Sequence, residues 1–207
     1  MEQYLKSKLL LEEVELMVAN SGCLYEQSSS CIVISKHSLT TLKNVYDFRN
    51  SLKPKYKKHP QLDKAGKSCY KELEFANYLR NIVSGHLGQD LLASLLKWRP
   101  ELVDDLKNFD SSESFVHFYQ MAMTYAFSSY LNKEGQHLYF KDETIAEIEY
   151  DFDNVRSFII DTLESVKSYL QVVCSILKGD FHETLSTLSN DEMFFTAAEH
   201  TIEKLKA

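Results

Sequence analysis

Residues 72–87, with the sequence ELEFANYLRNIVSGHL, predict the amphipathic helix around which the rest of the chain is organised. Counting from Phe75, apolar residues recur at i, i+4, i+7 and i+8, which is the spacing of one buried helical face. The last turns also carry three groups that can bind or react with a phosphate, namely Arg80, Asn81 and His86. We therefore predict a helix over about 67–87 that packs into a core and presents chemistry near its end.

The composition favours further helices around this one. The 207 residues include 6 Gly and 3 Pro, which favours long uninterrupted helices over a turn-rich β fold. Hydrophobic residues at 44% and charged residues at 26% are ordinary for a globular chain, and the length suffices for a sizeable core. The chain is therefore predicted to be one globular domain over residues 1–207.

Helical spacing of apolar residues recurs along the chain. It predicts helices over about 2–19, 38–49, 91–98, 112–131, 142–177 and 181–205. The run at 31–34, CIVI, has β propensity but is too short to assign by itself. We predict an all-α fold, a bundle of about six or seven helices with little or no β structure.

Charge is distributed unevenly. The formal net charge is −7, yet residues 43–80 carry ten Lys or Arg against four acidic residues. Residues 51–67, SLKPKYKKHPQLDKAGK, combine two prolines with six lysines and predict a basic loop. Its lysines are predicted to make sequence-independent phosphate contacts with RNA: Lys53, Lys55, Lys57, Lys58, Lys64 and Lys67. A solvated connector is the alternative interpretation of this loop.

The C-terminal half is acidic, with 8 basic against 20 acidic residues over 101–207. Residues 142–206 predict acidic helices that pack on the bundle. Acidic residues concentrate at 143–153, where a helix is predicted to start and where carboxylates favour the helix dipole. Their i, i+2 and i+4 spacings are typical of a solvated face, so no metal site is predicted.

The cysteines and the hydropathy of the chain predict the cellular compartment of the protein. The four cysteines form no CxxC pair and have no histidine at metal-ligand spacing, so we expect reduced thiols in a cytoplasmic protein. No secretory signal is expected from the N-terminal residues, which lack a continuous apolar run. No stretch of 18 consecutive apolar residues occurs, so no membrane association is predicted.

Arg80 and His86 suggest acid–base chemistry on a phosphate. Imidazole titrates near neutrality and can exchange a proton with a ribose 2′-hydroxyl or a leaving oxygen. Guanidinium can hold a phosphate bidentately and stabilise transition-state charge, while Asn81 could orient either partner. On an ideal helix Arg80 and His86 would lie about 240° apart, which predicts a buried His86. The Ser84-Gly85 pair argues for a helix end that turns His86 outward.

The heptapeptide RNIVSGH at 80–86 resembles the signature of the HEPN superfamily. That signature has Arg, often followed by a polar residue such as Asn, and then His after four to six intervening residues. Here five residues separate Arg80 from His86. The resemblance implies a helical bundle that dimerises along the motif helices and places two copies of the motif in one cleft.

The resemblance also implies a function. Many HEPN members are metal-independent endoribonucleases that act as toxins or as antiphage or stress effectors, often paired with an antitoxin. On this pattern Arg80, Asn81 and His86 are catalytic, no cofactor is required, and the partners are RNA, a second copy of the chain and an antitoxin or other protein. Two alternatives stay open: a non-catalytic HEPN-like module that binds a nucleotide or a protein, and a structural helical adaptor.

Overall fold

The computed structural model describes residues 2–85, 89–106, 112–140 and 151–187. Within these ranges the regular elements are helices, so the predicted all-α bundle is confirmed. The α-helices are α1 (Glu2–Ala19), α2 (Ser29–Ser51), α3 (Pro60–Ser68), α4 (Tyr70–Arg80), α5 (Gln89–Trp98), α6 (Leu102–Leu106), α7 (Ser112–Ser128) and α8 (Phe152–Thr187). Short 3₁₀ turns lie at Ser21–Tyr25 and Lys53–Lys55, and a π-turn at Asn81–Gly85 follows α4.

Helix α2 lies at the centre, with α1, α4, α7 and α8 packed around it. The apolar run at 31–34, left unassigned from its β propensity, belongs to α2. Cys31 and Ile32 are buried there, whereas Val33 is exposed. Packing of a long amphipathic helix thus overrides the local β propensity of four residues.

Helix α8 runs the length of the bundle and contacts α1, α2, α3, α4 and α7. Although α8 is the longest described helix, no helix in the described ranges has the length and apolar character of a membrane span. The acidic positions 143–149 and the predicted final helix beyond residue 187 lie outside the described residues.

The prediction of a loop throughout 51–67 is wrong. Residues 53–55 form a 3₁₀ turn, and α3 begins at Pro60. Proline is well suited to the first helical position, because its missing N–H would have no intrahelical partner there and its fixed φ is already helical. Leu62 and Gly66 bury the inner face of α3 against the rest of the bundle.

The prediction that the long helix over 142–177 ends before Lys178-Gly179 is also wrong, because α8 continues to Thr187. A helical glycine costs only about 1 kcal/mol relative to alanine, which packing can offset. The residue after Gly179 is held in place, since the Asp180 carboxylate accepts hydrogen bonds from Lys58 and His59. Tertiary contacts therefore extend α8 past the local stop signal.

Replacing Gly179 by Ala is expected to raise the free energy of unfolding by about 0.5–1 kcal/mol, because alanine is the better helix former. No heavy atom lies within 4 Å of the Cβ that alanine would add. Urea unfolding measures the change. The matched control is Gly135→Ala, which should destabilise the protein because Gly135 has φ +79°. A loss of stability in Gly179→Ala would contradict a continuous α8.

An aromatic core fixes α4 against α7, α8 and residues 130–140. Phe75 of α4 is fully buried at its centre. Surrounding rings have centroids 4.9–6.3 Å from that of Phe75 and belong to Tyr78, Phe127, Tyr130, His137, Tyr139 and Phe158. His137 is itself buried; its Nε2 donates to the Phe127 carbonyl at 2.9 Å, and its Nδ1 accepts the Tyr139 N–H at 3.1 Å. The imidazole is therefore held as one tautomer and fixes the course of residues 137–140.

Candidate functional site

Arg80 is the last residue of α4 and lies at a change of helix type. The Asn81 N–H donates to both the Asn77 and the Tyr78 carbonyls, after which the chain forms the π-turn Asn81–Gly85. The single helix predicted over 67–87 is therefore divided twice, at Cys69 between α3 and α4 and again at Asn81. Single π-turns within helices are rare and occur frequently at functional sites.

Packing and local propensity explain this geometry. Leu79 and Val83 are both buried and lie on either side of the junction, so the core anchors the chain before and after it. Ser84 and Gly85, which follow, are weaker α-helix formers than alanine or leucine. This turn is wider than an α-helix, so the 100° per residue of an ideal α-helix does not hold over Asn81–Gly85.

The Arg80 side chain is half-buried and has few partners. Its Nη1 donates to Asn81 Oδ1 at 3.4 Å, while its Nε is buried and makes no hydrogen bond. None of the ion pairs among the described side chains includes Arg80. A cationic group without a carboxylate partner can accept an external anion such as a phosphate.

Of the other two predicted catalytic residues, the structure places one. Asn81 is exposed directly beside Arg80, so an anion bound by Arg80 would also be within reach of Asn81. His86 lies outside the described residues, as do residues 87 and 88. The Arg80–Asn81 pair is therefore the part of the site whose geometry is described.

Three of the six lysines predicted to bind RNA pair with an acidic residue. Lys55 and Lys58 lie 3.4 and 3.1 Å from the Asp180 carboxylate, and His59 Nε2 donates to the same carboxylate at 3.1 Å. Lys67 pairs with Asp63 of its own helix at 2.6 Å. The remaining three predicted phosphate-binding lysines are exposed: Lys53, Lys57 and Lys64.

The Lys55–Lys58 region and Arg80 lie at opposite ends of the bundle. Phe75 packs against Phe158, and the distance along α8 from Phe158 to Asp180 is about 33 Å at 1.5 Å per residue. Gly66, shortly before α4, lies beside Tyr169, whereas Phe75 lies beside Phe158, so α4 runs antiparallel to α8 and Arg80 lies further still from Asp180. The structure does not bring these lysines together with Arg80 in one site.

The Asp180 cluster contributes to stability in a pH-dependent way. Partial burial acts to raise the pKa of Asp180, but the hydrogen bond from Lys58 and the charges of His59, Lys58 and Lys55 outweigh it, so the pKa lies below its ordinary value. A carboxyl whose pKa is lower in the folded state stabilises the fold above its ordinary pKa. This stabilisation is lost as pH falls through the lower folded value.

Asp180→Asn is expected to lower the free energy of unfolding by about 1 kcal/mol at pH 7. It should also make the loss of stability below pH 4 shallower than in the unchanged protein. Urea unfolding between pH 7 and pH 2.5 measures both effects. The matched control, Asp47→Asn, removes an exposed carboxylate paired with Lys43 and should change stability by less than about 0.5 kcal/mol. Equal effects of the two substitutions would contradict the cluster's role.

The sequence analysis missed Arg49, which is 6% exposed in α2. Its Nε donates to the Gly66 carbonyl at 2.8 Å, and its guanidinium lies 4.4 Å from the centre of the Tyr70 ring. These contacts join α2 to α3 and to the start of α4. Burial raises the pKa of neighbouring Cys69 to about 11 despite the opposing charge of Arg49, so this thiol is protonated at neutral pH. Both residues serve the packing of α3.

Neither a metal site in the described residues nor a match to a known protein indicates the function of this site. Among the described residues, no group of three or more His, Cys, Asp or Glu side chains is arranged to hold a metal ion. Comparison with protein-family models, with curated proteins and with solved structures gives no match. Function is therefore inferred from the residues of the site.

Proposed function

We propose that this chain is a HEPN-like, metal-independent endoribonuclease that acts as a homodimer. In this proposal, Arg80, Asn81 and His86 of both protomers form one composite cleft. The observation that carries it is the Arg80 guanidinium, which has no carboxylate partner in the described part of the chain and lies beside Asn81 at a π-turn. His86 enters the proposal from the sequence motif. The biological role we propose is that of a toxin or antiphage effector restrained by an antitoxin.

The proposed reaction is transesterification of the RNA backbone. The His86 imidazole of one protomer removes the proton from a ribose 2′-hydroxyl, whose oxygen attacks the adjacent phosphorus. The bond from phosphorus to the 5′-oxygen breaks, and the second protomer's imidazole donates a proton to that oxygen. The products are a 2′,3′-cyclic phosphate and a 5′-hydroxyl. Arg80 stabilises the negative charge that builds on the phosphate oxygens, and Asn81 orients the phosphate.

A second candidate function is a non-catalytic module that binds a nucleotide at Arg80. The arrangement of the lysines favours it, because Lys55 and Lys58 pair with Asp180 far from Arg80. A nucleotide needs only a local phosphate contact, whereas a long RNA gains affinity from many phosphate contacts along its backbone. Cleavage distinguishes the two candidates.

The test of the proposal is cleavage of an RNA oligonucleotide in the presence of EDTA. The matched control substrate has the same sequence with 2′-deoxyribose throughout, which removes the attacking hydroxyl. Cleavage of the RNA alone is the expected result. Binding without cleavage would support the nucleotide-binding module. No interaction with either substrate would support the alternative of a structural helical adaptor.

Lys57→Glu is expected to weaken RNA binding and to reduce the slope of log K against log salt by about 0.7, if Lys57 contacts one phosphate of a single strand. Lys57 is chosen because it is exposed, whereas Lys55 and Lys58 pair with Asp180. Lys133→Glu makes the same charge change at an exposed position between α7 and α8 and should leave the slope unchanged. Equal slopes for both variants would show that residues 51–67 serve as a connector.

A further inference from the structure

A cleft of about 300 Å³ opens beside the aromatic core, away from Arg80. It lies between the first turn of α4, residues 139 and 140, and the first half of α8. Carboxylates, hydroxyl groups and aromatic rings line it. The lining residues include Glu72, Tyr139, Phe158, Asp161 and Thr162. The volume is at the lower end of the range of small-molecule sites, so it suits a small ligand.

One wall of the cleft is aromatic and rigid. The Tyr139 and Phe158 rings meet edge to face, with centroids 5.4 Å apart and planes at 78°. Tyr139 also stacks on Phe75 at 5.0 Å, and its backbone N–H is bonded to the imidazole of His137. These contacts hold the Tyr139 ring in place before a ligand arrives, which lowers the entropic cost of binding.

The electrostatic character of the cleft is acidic. Glu72 and Asp161 contribute one carboxylate each from α4 and α8, and neither belongs to an ion pair among the described residues. None of the described residues that line the cleft is Lys, Arg or His. Burial raises the pKa of Tyr139, and the charges of Glu72 and Asp161 raise it further, so both carboxylates act on this ring's hydroxyl. Both charged side chains in the described lining are therefore negative, which favours a cation over an anion.

Thr162 provides an independent sign of a ligand. It is 1% exposed, lines the cleft, and its Oγ1 is buried without a hydrogen-bond partner in the structure. Helical Thr and Ser side chains commonly donate to the carbonyl four residues earlier, as Thr124 does to Gln120 at 3.0 Å. Thr162 does not do so, although an unsatisfied buried hydroxyl costs free energy. Its oxygen is therefore a buried acceptor beside the cleft that no protein group in the described residues satisfies.

We propose that this cleft binds a small organic ammonium ion. The ammonium N–H groups would donate to the Glu72 and Asp161 carboxylates and to Thr162 Oγ1, and the aliphatic part would lie against Tyr139 and Phe158. Charge-assisted hydrogen bonds and contact with aromatic rings are the interactions that recognise such cations. The proposal does not depend on the nuclease activity, because none of these residues belongs to the Arg80 site.

The test is isothermal titration of the full chain with putrescine, a four-carbon diamine, and with 1,4-butanediol, its uncharged analogue. We expect putrescine to bind and butanediol not to bind. Glu72→Gln and Asp161→Asn should each weaken putrescine binding about tenfold or more. Glu164→Gln is the matched control, because Glu164 is an exposed carboxylate of α8 outside the cleft. Equal weakening by Glu164→Gln, or equal affinity for both compounds, would overturn the proposal.

Thr162→Val adds a readout that a purely structural role would not give. Removing the unsatisfied hydroxyl should raise the melting temperature of the ligand-free protein. The same substitution should weaken putrescine binding, because the ammonium loses an acceptor. A variant that binds putrescine as tightly as the unchanged protein would exclude Thr162 from the site, and no binding to the unchanged protein would exclude the site itself.

Discussion

Arg80→Ala is expected to lower the rate of RNA cleavage by a factor of about 10²–10³, the usual loss when one donor to a developing negative charge is removed. His86→Ala should lower it by about 10²–10⁴, the range for a general acid or base. Arg80→Lys should restore activity only in part, because lysine keeps the charge but not the planar pair of donors. Initial rates on a labelled RNA oligonucleotide measure all three.

The loss in Arg80→Ala must be separated from unfolding. Because the Arg80 Nε is buried without a partner, its removal should cost little stability, and thermal unfolding of the variant should resemble that of the unchanged protein. Arg99→Ala is the matched control, since Arg99 directly follows α5, as Arg80 ends α4, and pairs with Glu101 near the surface. Full activity of the folded Arg80→Ala variant, or an equal loss in Arg99→Ala, would exclude Arg80 from catalysis.

Phe75→Ala is expected to lower the free energy of unfolding by about 3–5 kcal/mol, the cost of truncating a buried phenylalanine. Phe75 is fully buried, and its centroid lies 4.9 Å from that of Phe158 on α8 and 5.0 Å from that of Phe127 on α7. The lost ring would leave a cavity where three helices and residues 130–140 meet. Chemical denaturation measures the change.

Phe115→Ala is the control for this substitution. Phe115 lies on α7 and is 46% exposed, so its truncation should cost well under 1 kcal/mol. If both substitutions cost the same, the aromatic core around Phe75 would not be the main link between α4 and α8. A large loss confined to Phe75→Ala supports the packing that positions Arg80.

The helices with strong apolar periodicity could be predicted from the sequence. The predicted 2–19 helix coincides with α1, whose buried positions follow helical spacing, although Leu5, Leu9 and Leu16 are exposed. The predictions are wrong at two positions where a single residue suggests that a helix cannot continue or begin. Pro60 suggests a loop but begins α3, and Gly179 suggests a helix end but lies within α8. At Gly179 tertiary packing outweighs a local cost of about 1 kcal/mol, whereas Pro60 lies at the first helical position, where proline is well suited.

The candidate site was predictable only where it is local in sequence. Arg80, Asn81 and His86 are close together in the chain, so a short motif could identify them. The π-turn that follows Arg80 has no such signal, because helical periodicity assumes 3.6 residues per turn. The acidic cleft could not be found either, since Glu72, Tyr139 and Asp161 come from three separate segments that only the fold brings together.

The central claim is that the chain cleaves RNA by attack of a 2′-hydroxyl, without a metal. The most direct measurement is the mass of the 3′ ends produced when the purified protein acts on a defined RNA oligonucleotide in EDTA. Our account predicts 2′,3′-cyclic phosphate ends that are absent from the same reaction with His86→Ala. Intact RNA after prolonged incubation, or 3′-hydroxyl ends that form only when a divalent metal is added, would contradict it.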